Sequence, residues 1–128
     1  MTESERTTHI SRVGTVIIPV ADQDRALEFY VGKLGFEKRL DGPFGEGGRW
    51  IEVAPPGAAT TIALVATGAG GPAGIEVSLA TQDAAADHAE LRTKGVEADA
   101  EIIRMDYVPP MFTFRDPDGN RFRMVERD

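Results

Sequence analysis

The chain offers little reactive chemistry. It has 128 residues with no cysteine, one tryptophan and two histidines. Without cysteine there can be no thiolate nucleophile, disulfide, iron–sulfur cluster or Cys-rich zinc site. Two histidines also rule out a three-His metal centre within one chain. What remains is acid–base and ion-binding chemistry. Glu52 and Glu76 are candidate general bases, and no other catalytic residue is assigned. Arg123 can grip an anionic or carbonyl oxygen. Trp50, Tyr107 and Phe112, with Phe114, are candidates for an aromatic wall, and Thr15 for a polar contact beside it. Each has a plainer reading: the aromatics can complete a core or a dimer contact, and Glu52 can be a half-solvated strand residue in a cross-strand pair.

Other residue patterns carry less. Ser78 has no histidine with expected access, and no nucleophile elbow exists. His88 falls on the apolar stripe of a helix and reads as a packed, hydrogen-bonded histidine. His9 stands in a polar lead-in and faces solvent unless a mobile arm brings it to the site. The stretch from Gly68 to Ala73 matches a dinucleotide-binding pattern, but a strand follows it where a helix is required. The loop Gly42–Gly48 lacks the Lys-Ser/Thr pair of a phosphate loop and reads as a flexible lid. Asp116-Pro-Asp-Gly-Asn120 has neither the length nor the downstream glutamate of a calcium loop and reads as a hairpin turn.

The elements that must position these residues occur twice. Val13 to Val20 is an apolar, β-branched run that reads as a strand. Asp22 follows as a helix cap, then Ala26, Leu27, Tyr30 and Leu34 at helical spacing, and Gly35 as the stop. The second half repeats this order: Ile75–Ala80 as a strand, Asp83 as the cap, Ala84, His88 and Leu91 on one helix face, and Gly95 as the stop. Three strand-like runs follow each helix. In the first half they are 36–41, 49–54 and 60–65; in the second they are 96–105, 111–115 and 121–126. A loop through Tyr107-Val-Pro-Pro110 and the Asp116–Asn120 turn separate the latter. The expected class is α+β: two tandem βαβββ modules, about 10–66 and 75–126, forming a curved mixed sheet around a cleft. Residues 1–9 are a flexible lead-in and 67–74 a Gly-rich linker, and 10–126 makes a single domain.

One helix covers one face of a four-stranded sheet, so each module leaves its other face open. Period-two alternation sorts the strands. Ile62 and Leu64 face the helix, leaving Thr61, Ala63 and Val65 on the open face with Val13, Thr15, Ile17, Trp50 and Glu52. In the second module the same rule puts Glu76, Ser78, Arg121, Arg123 and Val125 there. Carrying the repeat across adds Phe112 and Phe114, which a bulge near Pro110 would flip.

Charge and composition set outer limits. A net charge of −7 opposes nucleic-acid binding, which needs clustered Lys and Arg. No apolar run approaches the roughly 20 residues of a membrane span. Met1–His9 has acids where a signal peptide has an apolar segment, so the expected location is cytoplasmic.

The stretches Val20-Ala-Asp-Gln-Asp-Arg-Ala-Leu-Glu-Phe-Tyr30, Leu34-Gly-Phe36 and Phe114-Arg-Asp-Pro-Asp-Gly-Asn120, set in paired modules, resemble the vicinal oxygen chelate superfamily. Its members include glyoxalase I, extradiol dioxygenases, fosfomycin-resistance enzymes and bleomycin-resistance proteins. The resemblance runs from Ile10 to Glu126. It implies a homodimer and places metal ligands, where a member has them, on the first and last strands of each module. Those positions hold Thr15, Ala63, Glu76 and Arg123 in this sequence, a poor divalent site because Arg123 stays charged. In this fold first and last strands are neighbours, so Glu76 and Arg123 are expected to form an ion pair across the cleft floor. The resulting expectation is a small-molecule binding protein without metal or other cofactor, sequestering an antibiotic or a metabolite. The alternative is a lyase, isomerase or dioxygenase of the superfamily, metal-dependent or using Glu76 or Glu52 as base.

Overall fold

A computed structural model describes residues 8–68 and 71–127. Most of the lead-in 1–9 and the centre of the linker 67–74 lie outside these residues. The element order is β1 (Thr15–Val20), α1 (Gln23–Leu27) with a π-helical continuation (Glu28–Lys33), β2 (Glu37–Pro43), β3 (Arg49–Ala54) and β4 (Thr61–Ala66). The second module follows as β5 (Glu76–Thr81), α2 (Ala84–Thr93), β6 (Glu97–Ala98), β7 (Ile103–Met105), β8 (Val108–Arg115) and β9 (Arg121–Glu126).

Both helices begin and end as their cap residues require. The Asp22 carboxylate accepts from the Arg25 amide at 3.1 Å and Asp83 from the Ala86 amide at 3.0 Å, satisfying donors the first turn leaves free. Gly35 (φ 77°) and Gly95 (φ 79°) take the left-handed conformation that ends each helix. Between them the first helix widens: the Leu34 amide bonds the Phe29 carbonyl at 3.1 Å, an i to i+5 link. The wider turn lets the consecutive Phe29 and Tyr30 both enter the core.

The strands form two sheets rather than one, ordered β1-β4-β3-β2 and β5-β9-β8-β6, with β7 paired to β8. In each, the first strand runs parallel to the last (β1 with β4, β5 with β9). The expected strand 96–105 is interrupted after Ala98. There Arg92 Nη1 takes the Ala98 and Asp99 carbonyls at 3.2 and 3.3 Å, and His88 Nε2 lies 2.7 Å from the Asp99 carbonyl. The Asp99 carboxylate caps the Thr113 amide at 3.0 Å. Strand β8 begins at Val108, so Pro109 and Pro110 belong to it and not to a loop. They precede Met111, where the ladder to β9 starts, and so cost it no hydrogen bond.

A single apolar core joins the modules. It takes Ile18, Ile51, Val53 and Leu64 from the first sheet, Phe112, Phe114, Phe122 and Met124 from the second, and Tyr30 and Leu91 from the helices. It thus lies on the helix-covered sides of both sheets. A buried polar joint reinforces it. Tyr30 donates its hydroxyl to Asp116 Oδ2 at 2.7 Å, and Asn120 Nδ2 donates to the same oxygen at 2.9 Å and to the Pro19 carbonyl at 2.9 Å. The Asp116–Asn120 turn of the second module is thereby locked onto the end of β1.

Candidate functional site

Strand alternation puts Thr15, Trp50, Glu52 and Thr61 on the side of the first sheet away from α1. Parallel pairing sets Thr15 opposite Thr61, and the antiparallel ladder sets Glu52 opposite Ala63. Trp50 Nε1 donates to Glu52 Oε2 at 2.7 Å, and the Thr61 hydroxyl donates to Glu52 Oε1 at 2.8 Å. Thr61 has only one hydroxyl proton, so Thr15, 2.8 Å away, donates to Thr61. The chain Thr15→Thr61→Glu52←Trp50 fixes a carboxylate beside an indole. Each carboxylate oxygen keeps a further lone-pair site for a ligand donor. Phe44, from the Gly-rich loop, packs its ring 5.1 Å from Trp50.

The open side of the second sheet holds a cationic counterpart. Glu76 pairs with Arg121 and Ser78 with Arg123 along the parallel ladder. Arg123 Nε donates to Glu76 Oε1 at 2.5 Å and Nη2 approaches Oε2 at 3.5 Å, while Arg121 Nη2 lies 3.6 Å from Oε2. Arg123 Nη1 also meets the Met111 sulfur at 3.4 Å. The Arg123 hydrogen bond holds the Glu76 carboxyl below the usual range, and Glu76 in turn raises the Arg123 guanidinium. Glu76 is therefore ionised and a weak base. The two arginines facing it have N–H donors left over for a ligand oxygen. A groove of about 250 Å³ runs beside the pair, lined by Pro72, Gly74, Ile75, Glu76 and Arg121.

Two expected site residues are placed otherwise. Phe112 is fully buried, with its ring 4.9 Å from the His88 imidazole, and Phe114 is buried beside it. The ladder pairs Phe112 with Met124 and Phe114 with Phe122, so all four side chains face the core. Thr113 opposes Arg123 as Glu52 opposes Ala63, so Thr113 occupies the place that the repeat assigned to Phe114. Tyr107 forms the tip of the β7–β8 hairpin and is fully exposed; it makes no wall with Trp50 of its own chain. His88 is half-buried and hydrogen-bonded as expected, and His9 is exposed. Phe44 is the addition, brought in by the fold of its loop. Thr61 lies on the open face as alternation expects, and the β1–β4 register makes it the link between Thr15 and Glu52.

The donor set fits a divalent metal poorly. Of the four family positions, Thr15 is committed to Thr61, Ala63 has no donor, and Glu76 is engaged by Arg123. Among the described residues, no group of three or more His, Asp or Glu is placed to hold a metal ion.

The two open faces are not linked to each other. Among the described residues, no hydrogen bond or ion pair joins Thr15, Trp50, Glu52 or Thr61 to Glu76, Ser78, Thr113 or Arg123. A groove of about 370 Å³ lies on the helix side, past Phe29, Lys33, Val96 and Arg115, and does not include Trp50 or Glu52.

Comparison with known proteins agrees with this architecture. Residues 9–124 match the Glyoxalase/Bleomycin resistance protein/Dioxygenase superfamily. The chain belongs to that superfamily. Within it, the uncharacterized protein YetH of Bacillus subtilis (strain 168) is 32% identical over 120 residues, covering 91% of this chain and 99% of YetH. The crystal structure of TnmS3, an antibiotic binding protein from Streptomyces sp. CB03234, superposes with a TM-score of 0.82 at 35% identity, covering 94% of this chain and 99% of TnmS3. A superfamily member from Sphaerobacter thermophilus DSM 20745 gives a TM-score of 0.84 at 36% identity, covering 94% and 100% of the two chains.

Proposed function

We propose that this superfamily member binds a small organic molecule, an antibiotic or a metabolite, without metal. The binding cleft lies between two copies of the chain, with the first sheet of one copy facing the second sheet of the other. The observation that carries the reading is the Thr15–Thr61–Glu52–Trp50 chain, a fixed acceptor beside a half-exposed aromatic ring on the side of the first sheet away from α1. A few convergent polar groups on an otherwise apolar wall are the usual anatomy of a small-ligand site. The antibiotic-binding description of TnmS3 supports the ligand class. Glu52 would accept from a ligand N–H or O–H, Trp50 would lie against its apolar part, and Arg123 and Arg121 would take an oxygen at its far end. A net charge of −7 steers cationic molecules toward the protein.

The test is a titration with a panel of cationic and neutral aromatic antibiotics, read by the emission of Trp50, the sole tryptophan, and by Tm. A ligand at 100 times its Kd adds about 2.7 kcal/mol, so a true binder raises Tm by several degrees. If no compound moves either signal, the reading fails. An enzymatic reading with Glu52 or Glu76 as base has less support, because Arg123 weakens Glu76 as a base and Trp50 and Thr61 each hold one oxygen of Glu52. Stoichiometric divalent metal retained by the purified protein would favour a metal-dependent enzyme instead.

A further inference from the structure

The groove of about 370 Å³ on the helix side crosses the seam between the modules. Phe29 and Lys33 enter it from the π-helical continuation of α1, and Val96, Glu97 and Arg115 from the second module. Phe29 and Val96 are 4% and 8% exposed and give the groove an apolar floor. Its charged groups are Lys33, Glu97, Arg115 and Asp116. The volume stands at the small end of the roughly 300–1,000 Å³ usual for ligand clefts, which suits a molecule the size of an amino acid.

Asp116 is fully occupied. Its Oδ1 accepts from the Asp118 and Asn120 amides at 2.9 and 2.8 Å, and its Oδ2 from the Tyr30 hydroxyl and Asn120 Nδ2 at 2.7 and 2.9 Å. The other three are not engaged: among the described residues, no hydrogen bond or ion pair takes up the Lys33 ammonium, the Arg115 guanidinium or the Glu97 carboxylate. Glu97 and Arg115 are even partners on the β6–β8 ladder, yet they form no ion pair, whereas Arg49 with Asp41, Lys94 with Glu90 and Arg123 with Glu76 all do. The signs in the groove select its occupant. A dianion drawn to Lys33 and Arg115 would meet Glu97, and a cation drawn to Glu97 would meet two positive groups. A zwitterion satisfies all three.

We propose that this groove is a second binding site, for a free α-amino acid with an aliphatic side chain. Arg115 and Lys33 take its carboxylate, for which a guanidinium offers two parallel donors. Glu97 takes its ammonium, and its side chain lies over Phe29 and Val96. The site shares no residue with the Trp50–Glu52 face or with the Arg121 and Arg123 cluster, so it stands whether or not an antibiotic binds there. Because Lys33 belongs to one module and Arg115 and Glu97 to the other, the bound amino acid ties the modules together beside the Tyr30–Asp116 joint.

The probe is L-leucine, titrated into isotope-labelled protein and read by amide NMR at Gly95, Val96 and Gly119, which border the groove. Isocaproate, which lacks the ammonium, and isoamylamine, which lacks the carboxylate, are titrated beside it. Leucine is expected to shift these amides saturably and to bind roughly tenfold or more tightly than either analogue, the loss that follows when a charged group goes unmatched. Lys33→Gln and Arg115→Gln should each weaken leucine by about tenfold. Glu97→Gln should weaken leucine and tighten isocaproate, a reversal that a merely structural role would not produce. Lys33 and Glu97 are exposed, so their variants keep the test decisive even where Arg115→Gln fails to fold. Four results overturn the proposal: no saturable shift with leucine, isocaproate binding as tightly as leucine, an unchanged leucine affinity in Lys33→Gln, or leucine shifts confined to Trp50 and its neighbours. Trp50 emission is expected to stay constant through the leucine titration, so failure of the antibiotic panel and failure of this site are read separately.

Discussion

At the scale of single residues, the two carboxylates of the site differ in how they are held. Glu52 takes neutral donors from Trp50 and Thr61, so Glu52→Ala leaves an indole N–H and a hydroxyl without their acceptor. The expected loss is about 1–3 kcal/mol in urea unfolding, with a shift of Trp50 emission. An unchanged midpoint would show that the cluster is not formed in solution. Glu76 is held by charge, and its folded pKa lies below the ordinary value of 4.5. A depressed carboxylate contributes stability that is present above its unfolded pKa and lost as pH falls through the folded one. Tm should therefore fall between about pH 5 and 3 more steeply in the wild type than in Glu76→Gln. The difference is small, because the pair is partly solvated; equal slopes would deny the pair any linkage. Both acids, and Arg123, were legible by alternation alone, since a strand exposes every second residue whatever it pairs with. Thr61 as the link between Thr15 and Glu52 was not, because it depends on the residue register between β1 and β4, which alternation within a strand does not set.

At the scale of elements, β8 shows how a repeat can mislead where local pattern does not. Transferring the Trp50 face from the first module put Phe112 and Phe114 on the open side. The run Met111-Phe-Thr-Phe-Arg115 itself alternates with its largest apolar side chains on one face, which is the core signature. Burying two phenylalanines releases more apolar surface than burying Met111 and Thr113, and pairing with Phe122 and Met124 fixes that choice. Phe112→Ala should consequently cost about 3–5 kcal/mol by leaving a cavity, while ligand titration of the surviving folded fraction is unchanged. A stable variant with altered binding would return Phe112 to the cleft. The joint between modules is polar where the core ends. Tyr30 is pushed above its ordinary pKa, first by burial and then by the Asp116 carboxylate, and stays a donor. Tyr30→Phe removes that donor and should lower the unfolding free energy by about 1–2 kcal/mol, read as a lower midpoint at constant m; no change would mean water replaces it freely.

At the scale of the whole molecule, the sequence determined the paired modules. Asp22 and Asp83 cap equivalent helices, Gly35 and Gly95 end them, and strand alternation follows from residue order, so all of these are local and can be read one segment at a time. It also determined how poor the chain is in metal ligands, since Thr15, Ala63, Glu76 and Arg123 offer one carboxylate among them. The tertiary structure decided which faces became the core. The helix-covered sides of both sheets share one apolar cluster, which, among the described residues, leaves the Glu52 face and the Arg123 face without a bond to each other and sends Tyr107 out to the tip of a hairpin. Those outcomes rest on contacts between residues far apart in the chain, such as Tyr30 with Asp116 and Pro19 with Asn120. Alternation says that a strand has two sides, but only the packing of one module on the other says which side meets water.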